Sequence, residues 1–208
     1  MLKNILYISA SIVIFFVGLI LYGLILNSGE LSLEEALRAK NLTSIENLRL
    51  IVDRSNYRLQ IYSGNTFVKS YKSVFGKNAS NLKSSANDLV TPLGDYKICS
   101  IDTNHKYHKF LQLSYPNEKD AAESLKRSYI SQGEFEAIHI AFKKNECPPK
   151  ETKLGSYIGI HGIGAYDFIF RNLPFTFNWT NGSIAISNKN IDELASIVKI
   201  GTPVKITY

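Results

Sequence analysis

The sequence predicts a mostly β domain with two or three helices packed on it, carried behind one N-terminal transmembrane helix. Three observations predict this. Short runs rich in Leu, Ile, Val, Tyr and Phe, bounded by Gly, Asn, Ser and Pro, recur from Leu48 onward. Beyond Leu48, helical spacing of apolar residues is confined to a few stretches in the second half of the chain. Near the start, Ile5–Leu26 contains no charged residue and no proline.

As a helix Ile5–Leu26 spans about 33 Å, enough for a hydrocarbon core of about 30 Å. A cleaved signal peptide is the rival reading, but its apolar core runs to about 7–15 residues and a small-x-small site follows it. Leu24-Ile25-Leu26-Asn27 offers no such site. Lys3 before the run, and Glu30, Glu34 and Glu35 ahead of Arg38 after it, place the N-terminus in the cytoplasm and the rest outside. Residues 1–27 are therefore expected as a membrane anchor, 28–47 as a juxtamembrane spacer and 48–208 as one globular domain.

In the spacer, Ser32-Leu33-Glu34-Glu35 fits a capping box opening a short helix. Leu48–Asp53 and Tyr57–Ser63 read as paired strands around Arg54-Ser55-Asn56, and Ser63-Gly64-Asn65 turns into a third strand, Thr66–Phe75. Gly76–Leu89 is rich in Ser, Asn and Lys and reads as a mobile surface loop. The Pro92 and Gly94 turn leads to strands Tyr96–Ile101 and Phe110–Tyr115. Asn117 caps a helix with Ala121, Leu125 and Tyr129 on one face, and Glu134–Lys144 is a second helix, with His139 on its apolar face as a packed or edge residue rather than a catalyst. Ile158–His161 is a strand. The alternation Phe175, Phe177, Trp179 predicts one face of a sheet. Asn190, with Glu193 three residues on, caps a last helix that ends by Gly201, and Thr202–Thr207 is the closing strand.

The balance of 24 Lys and Arg against 18 Asp and Glu gives +6, ordinary for a soluble surface and weakly attractive to anionic polymers or lipid. Nucleic acid is not an expected partner, because no basic run interleaved with aromatics appears. Cys99 and Cys147 can form a disulfide in an oxidising compartment or remain two free thiols. No metal is expected: His105 and His108 lack a third ligand at a recognisable spacing.

The chemistry concentrates in Ile158–Asn188. His161 ends an apolar strand and precedes Gly162, whose missing Cβ admits a close approach. Gly182 before Ser183 makes a tight turn that presents a hydroxyl and leaves the Gly182 and Ser183 N–H groups free for an oxyanion. A base, a hydroxyl nucleophile and oxyanion donors are what acyl transfer needs, although many Gly-Ser turns are structural only.

From Leu48 to the C-terminus the chain resembles the L,D-transpeptidase (YkuD-type) catalytic domain. The resemblance rests on Leu48–Ser63, the turn Thr91–Tyr96, the run Phe110–Asn117, the motif Thr152–Gly162, the motif Thr180–Asn188 and the end Ile191–Ile206. It implies a mixed β-sandwich or barrel-like fold and action on peptidoglycan stem peptides. The implied reaction is attack on an L,D peptide bond, with the acyl group passing to an amine or water and no cofactor. It implies residence at the inner membrane with the domain in the periplasm, His161 and Ser183 as catalytic positions, Gly162 and Gly182 as turn and oxyanion positions, and substrate contacts from Tyr107, His108 and Thr180. One departure stands out. The family motif is S/T-x-G-C, and here Ser183 stands in the place of the cysteine; Asn181 and Ala185 replace a frequent His and Arg. A thiol ionises near pH 8.5 and pairs readily with a histidine, whereas a hydroxyl needs a true general base. An active acyltransferase or hydrolase, a binding-only pseudoenzyme and a structural envelope domain are the three readings this leaves.

Overall fold

Alternation of side chains explains why the strands pair as they do. In the computed structural model, which describes residues 2–208, Leu50 and Val52 of β1 (Leu48–Asp53) and Leu59 and Ile61 of β2 (Arg58–Ser63) point to one face and are buried. Their neighbours along the strand point away. The remaining strands are β3 (Thr66–Lys72), β4 (Gly94–His105), β5 (His108–Leu113), β6 (Gly159–His161), β7 (Ile184–Ala185) and β8 (Pro203–Thr207). They form one mixed sheet in the order β3-β2-β1-β8-β4-β5-β6-β7. The pairs β1–β8 and β6–β7 are parallel and the others antiparallel.

β4 joins the two halves of the sheet. Its first residues pair with β8 and its later ones with β5, and the register shifts between Ile98 and Ser100 and again between Asp102 and His105. Such irregularities bend a strand, and the sheet curves into a half-barrel. Leu111, Leu113, Ile160, Ile184, Ile191 and Leu194 continue the core across the second half. Each such aliphatic side chain, fully buried, contributes about 1.5–3 kcal/mol.

Among the described residues six helices accompany the sheet: α1 (Leu2–Asn27), α2 (Leu33–Ala39), α3 (Glu118–Lys126), α4 (Gln132–Lys143), α5 (Asp167–Arg171) and α6 (Asn188–Ile197). α1 is long and apolar enough to cross a membrane and is a candidate span. The Ser32–Glu35 capping box of α2 and the Asn117 cap of α3 form as the sequence predicts. α3 and α4 pack together around Ala121, Ile130, Ile138 and Leu154. Cys99 in β4 and Cys147 beyond α4 are joined in a disulfide, which fastens this helical pair to the sheet.

Several expectations are corrected. α2 is not a free spacer: Leu33 and Ala36 are buried in the main core and the helix packs on β3. The stretch expected as a mobile loop is tied down. Lys83 is buried against Asp88 at 2.6 Å, and the Arg54 guanidinium donates to the carbonyls of Ala79, Ser80 and Thr91. Tyr129 lies beyond the end of α3. The cap of α6 is Ser187, whose hydroxyl accepts from the Asn190 N–H, so Asn190 lies inside the helix. Glu193 instead receives Lys69 Nζ at 2.7 Å and the Tyr71 hydroxyl at 3.0 Å, a pairing across the fold that residue spacing cannot reveal. Phe175, Phe177 and Trp179 form no strand. Pro174 supplies no N–H to a ladder, and Phe175 and Phe177 remain exposed.

Candidate active site

The two motif strands meet at the open end of the sheet. β6 and β7 run parallel with Ile160 beside Ile184 and His161 beside Ala185. Side chains two residues apart share a face, so Ser183, level with Gly159, lies on the same face as His161. The Gly159 N–H donates to Ser183 Oγ at 3.2 Å. His161 and Ser183 both line one cavity of about 300 Å³.

The turn that presents Ser183 is fixed by its residue types. Gly182 has φ +118°, where a side chain is strained, and a Cβ there would lie 2.8 Å from the Val90 carbonyl oxygen. The Thr180 hydroxyl donates to the Ser183 carbonyl at 2.6 Å and accepts the Gly182 N–H at 3.2 Å. Gly182 is therefore not the free oxyanion donor the sequence suggests; its N–H is committed to Thr180. Among the described residues the Ser183 N–H takes no part in the hydrogen bonds that close this turn. Gly162 admits the close approach that its missing Cβ allows. The Asn188 side-chain oxygen and the Tyr107 carbonyl, 2.6 and 2.7 Å from a Cβ position, fill the space beside it.

His161 is 3% exposed. Its Nδ1 lies 2.6 Å from the Gly162 carbonyl oxygen. A carbonyl only accepts, so Nδ1 carries the hydrogen and Nε2 keeps its lone pair. Burial pushes the imidazole pKa down to about 4, against the raising effect of the Gly162 carbonyl and with help from nearby His105 and Lys106. At neutral pH the ring is an uncharged base whose orientation the backbone of the next residue sets.

Aromatic rings enclose it. Tyr107 stacks on the His161 ring at 4.8 Å and 25°, and Trp179 meets it edge-on at 5.9 Å. His105, 6.5 Å from His161, accepts the Tyr107 N–H through Nδ1, and burial lowers its pKa too. Lys77 and Lys106 give the cavity a positive mouth. Tyr107 and Thr180 are thus brought to the cavity with His161 and Ser183, but His108 is not. It occupies the tip of the β4–β5 hairpin with φ +77°, and its Nε2 reaches Asp192 of α6 at 2.9 Å. His105, Phe110 and Tyr157 are cavity residues that the sequence reading left outside the site, and Trp179, read first as core and otherwise as a groove wall, lines it too.

A larger cavity of about 490 Å³ lies on the other side of Trp179 and contains neither His161 nor Ser183. Chemistry, not size, therefore selects the smaller one. No three His, Cys, Asp or Glu side chains converge as metal ligands among the described residues.

The sequence profile of the YkuD L,D-transpeptidase catalytic domain matches residues 47–206. Among solved structures, Bd1075 of Bdellovibrio bacteriovorus is similar with 20% identity and a TM-score of 0.48, over 78% of this chain and 48% of that one. A mutant form of the helical cell shape determining protein Pgp2 of Campylobacter jejuni is similar with 17% identity and a TM-score of 0.50, over 76% of this chain and 46% of that one. L,D-transpeptidase 1 of Mycobacterium tuberculosis gives 10% identity and 0.41, over 78% and 62%. This chain spans about half the length of the first two, and at 17% identity the likeness to Pgp2 speaks to fold alone. No curated protein matches the sequence.

Proposed function

The chain belongs to the L,D-transpeptidase (YkuD) catalytic-domain family, and from that membership we propose that it is an envelope acyltransferase or peptidase of peptidoglycan stem peptides, held at the membrane by α1, with Ser183 as nucleophile and His161 as base. Ser183 stands where the family motif has its cysteine. The Ser183 oxygen attacks the carbonyl carbon of an L,D peptide bond while His161 Nε2 accepts its proton. The oxyanion that forms faces the Ser183 N–H. The C–N bond then breaks, the amine leaves with the proton returned from His161, and the ester is resolved by an amine or by water. A positioned base contributes about 10²–10⁴-fold and an oxyanion donor about 10²–10³-fold. Lys77 and Lys106 at the mouth suit the carboxylates of a stem peptide.

The observation that carries this reading is the His161–Gly162 hydrogen bond. It fixes the tautomer that leaves Nε2 free, while burial keeps the ring neutral; a hydroxyl nucleophile requires both and a thiolate–imidazolium pair does not. A second reading, binding without turnover, is favoured by the same burial. A base held near pKa 4 accepts a proton weakly.

Incubation with defined tetrapeptide muropeptides and mass analysis of products separates the two. The acyltransfer reading predicts product from the native protein, none from Ser183→Ala and more from Ser183→Cys. Equal residual turnover in the native protein and Ser183→Ala rejects Ser183 as nucleophile. If the native protein yields no product and still pellets with sacculi, binding without turnover is the function.

A further inference from the structure

The larger cavity is unused by this chemistry, and it sits where α1 meets the domain. Gly23 of α1 packs directly on the backbone of Asn172, so closely that a Cβ would fall 1.6 Å from the Asn172 carbonyl oxygen. Asn27 Nδ2 donates to the Arg171 carbonyl at 2.9 Å and to Asn172 Oδ1 at 3.1 Å. Gly23 still belongs to the uncharged run that ends at Leu26. At about 1.5 Å of rise per residue, the contact lies within one turn of where that run leaves the hydrocarbon. Segment 166–177 is thereby brought to headgroup depth. It exposes Tyr166, Phe168, Ile169, Phe175 and Phe177, between 41 and 67% each, the aromatic character of a membrane interface.

The cavity behind this rim has apolar walls at Leu24, Phe170 and Trp179 and carries Lys72, Arg171 and Lys189. Asp167 lies 3.6 Å from Arg171, and Glu30, on the cavity wall, lies 4.0 Å from Lys69 outside it. Lys189 has no carboxylate within ion-pair distance among the described residues. Asn190 also lines the cavity. It is 3% exposed, yet its Oδ1 has no hydrogen-bond partner. A buried acceptor without a donor costs about 1–3 kcal/mol, and a ligand hydroxyl satisfies it.

We propose that this cavity binds one anionic phospholipid of the membrane that α1 crosses, with acyl chain among the aromatic walls, phosphate at Lys189 and a headgroup or glycerol hydroxyl on Asn190 Oδ1. The proposal rests on α1 remaining in the membrane but not on turnover at Ser183. The bound lipid fixes the domain's tilt and so the height of the Ser183 cavity above the bilayer.

The protein's one tryptophan, Trp179, is the reporter. The full chain is reconstituted in phosphatidylcholine nanodiscs containing equal fractions of either chain-brominated phosphatidylglycerol or chain-brominated phosphatidylcholine. Stronger Trp179 quenching by the glycerol lipid is expected. Lys189→Gln should lower that preference about fivefold, the effect of one interfacial cation. Equal quenching by both lipids, no quenching by either, or an unchanged preference in Lys189→Gln overturns the proposal.

Discussion

His161 and Asp120 titrate in overlapping windows with opposite consequences. The folded His161 pKa is depressed to about 4 from 6.5 by burial. Between those values the unfolded chain holds a proton that the folded chain refuses. Its contribution is fully present above pH 6.5 and is lost as pH falls toward 4, roughly 3 kcal/mol in all. Burial raises the Asp120 carboxyl from 3.8 to about 6, so there the folded chain holds the extra proton and stability falls as pH rises through that window. His161→Gln removes the first effect only. Urea unfolding at about pH 4.5 and about pH 6.5 should show the native protein gaining more stability on the rise in pH than His161→Gln does. Matching gains contradict the burial argument. At this scale the sequence was half legible. His161, Thr180 and Ser183 are chemically conspicuous at their spacing. The Gly162 carbonyl that orients the imidazole is not, because a backbone acceptor has no residue type of its own. Tyr107 and His108 looked equivalent in sequence and are separated by the twist of a hairpin tip.

The Thr180–Ser183 turn is the element on which the site depends. Gly182→Ala places a methyl against the Val90 carbonyl in a backbone region closed to side chains, a strain of about 1–3 kcal/mol. Loss of that much stability in urea, with loss of most muropeptide turnover, is expected; unchanged turnover contradicts the geometry. In α6, Ser187→Ala removes the cap and should cost about 1 kcal/mol by the same measurement. The strands of the first half were legible because alternation and turn residues coincide there. α5 and the segment before Trp179 were not. Aromatic alternation suggested a strand, but without a neighbouring edge to complete a ladder the chain coils, and its apolar side chains stay outside.

Over the whole molecule, closure depends on contacts remote in sequence. β8, the last strand, lies between β1 and β4 in the middle of the sheet. The Cys99–Cys147 disulfide, separated by 48 residues, ties α3 and α4 to β4. The two cysteines were visible in the sequence, but their proximity was not, since the strand and the post-helix loop meet only after folding. Replacing both with serine should lower stability by about 4 kcal/mol from chain entropy alone, read as a urea midpoint shift. An unchanged midpoint contradicts that account. The central claim remains that Ser183 carries the acyl group. Intact-mass analysis, with peptide mapping, of the protein mixed with a tetrapeptide stem donor in the absence of an amine acceptor tests it most directly. The account predicts an acyl adduct on the peptide containing Ser183 and none in Ser183→Ala; an adduct on any other residue, or turnover that persists in Ser183→Ala, contradicts it.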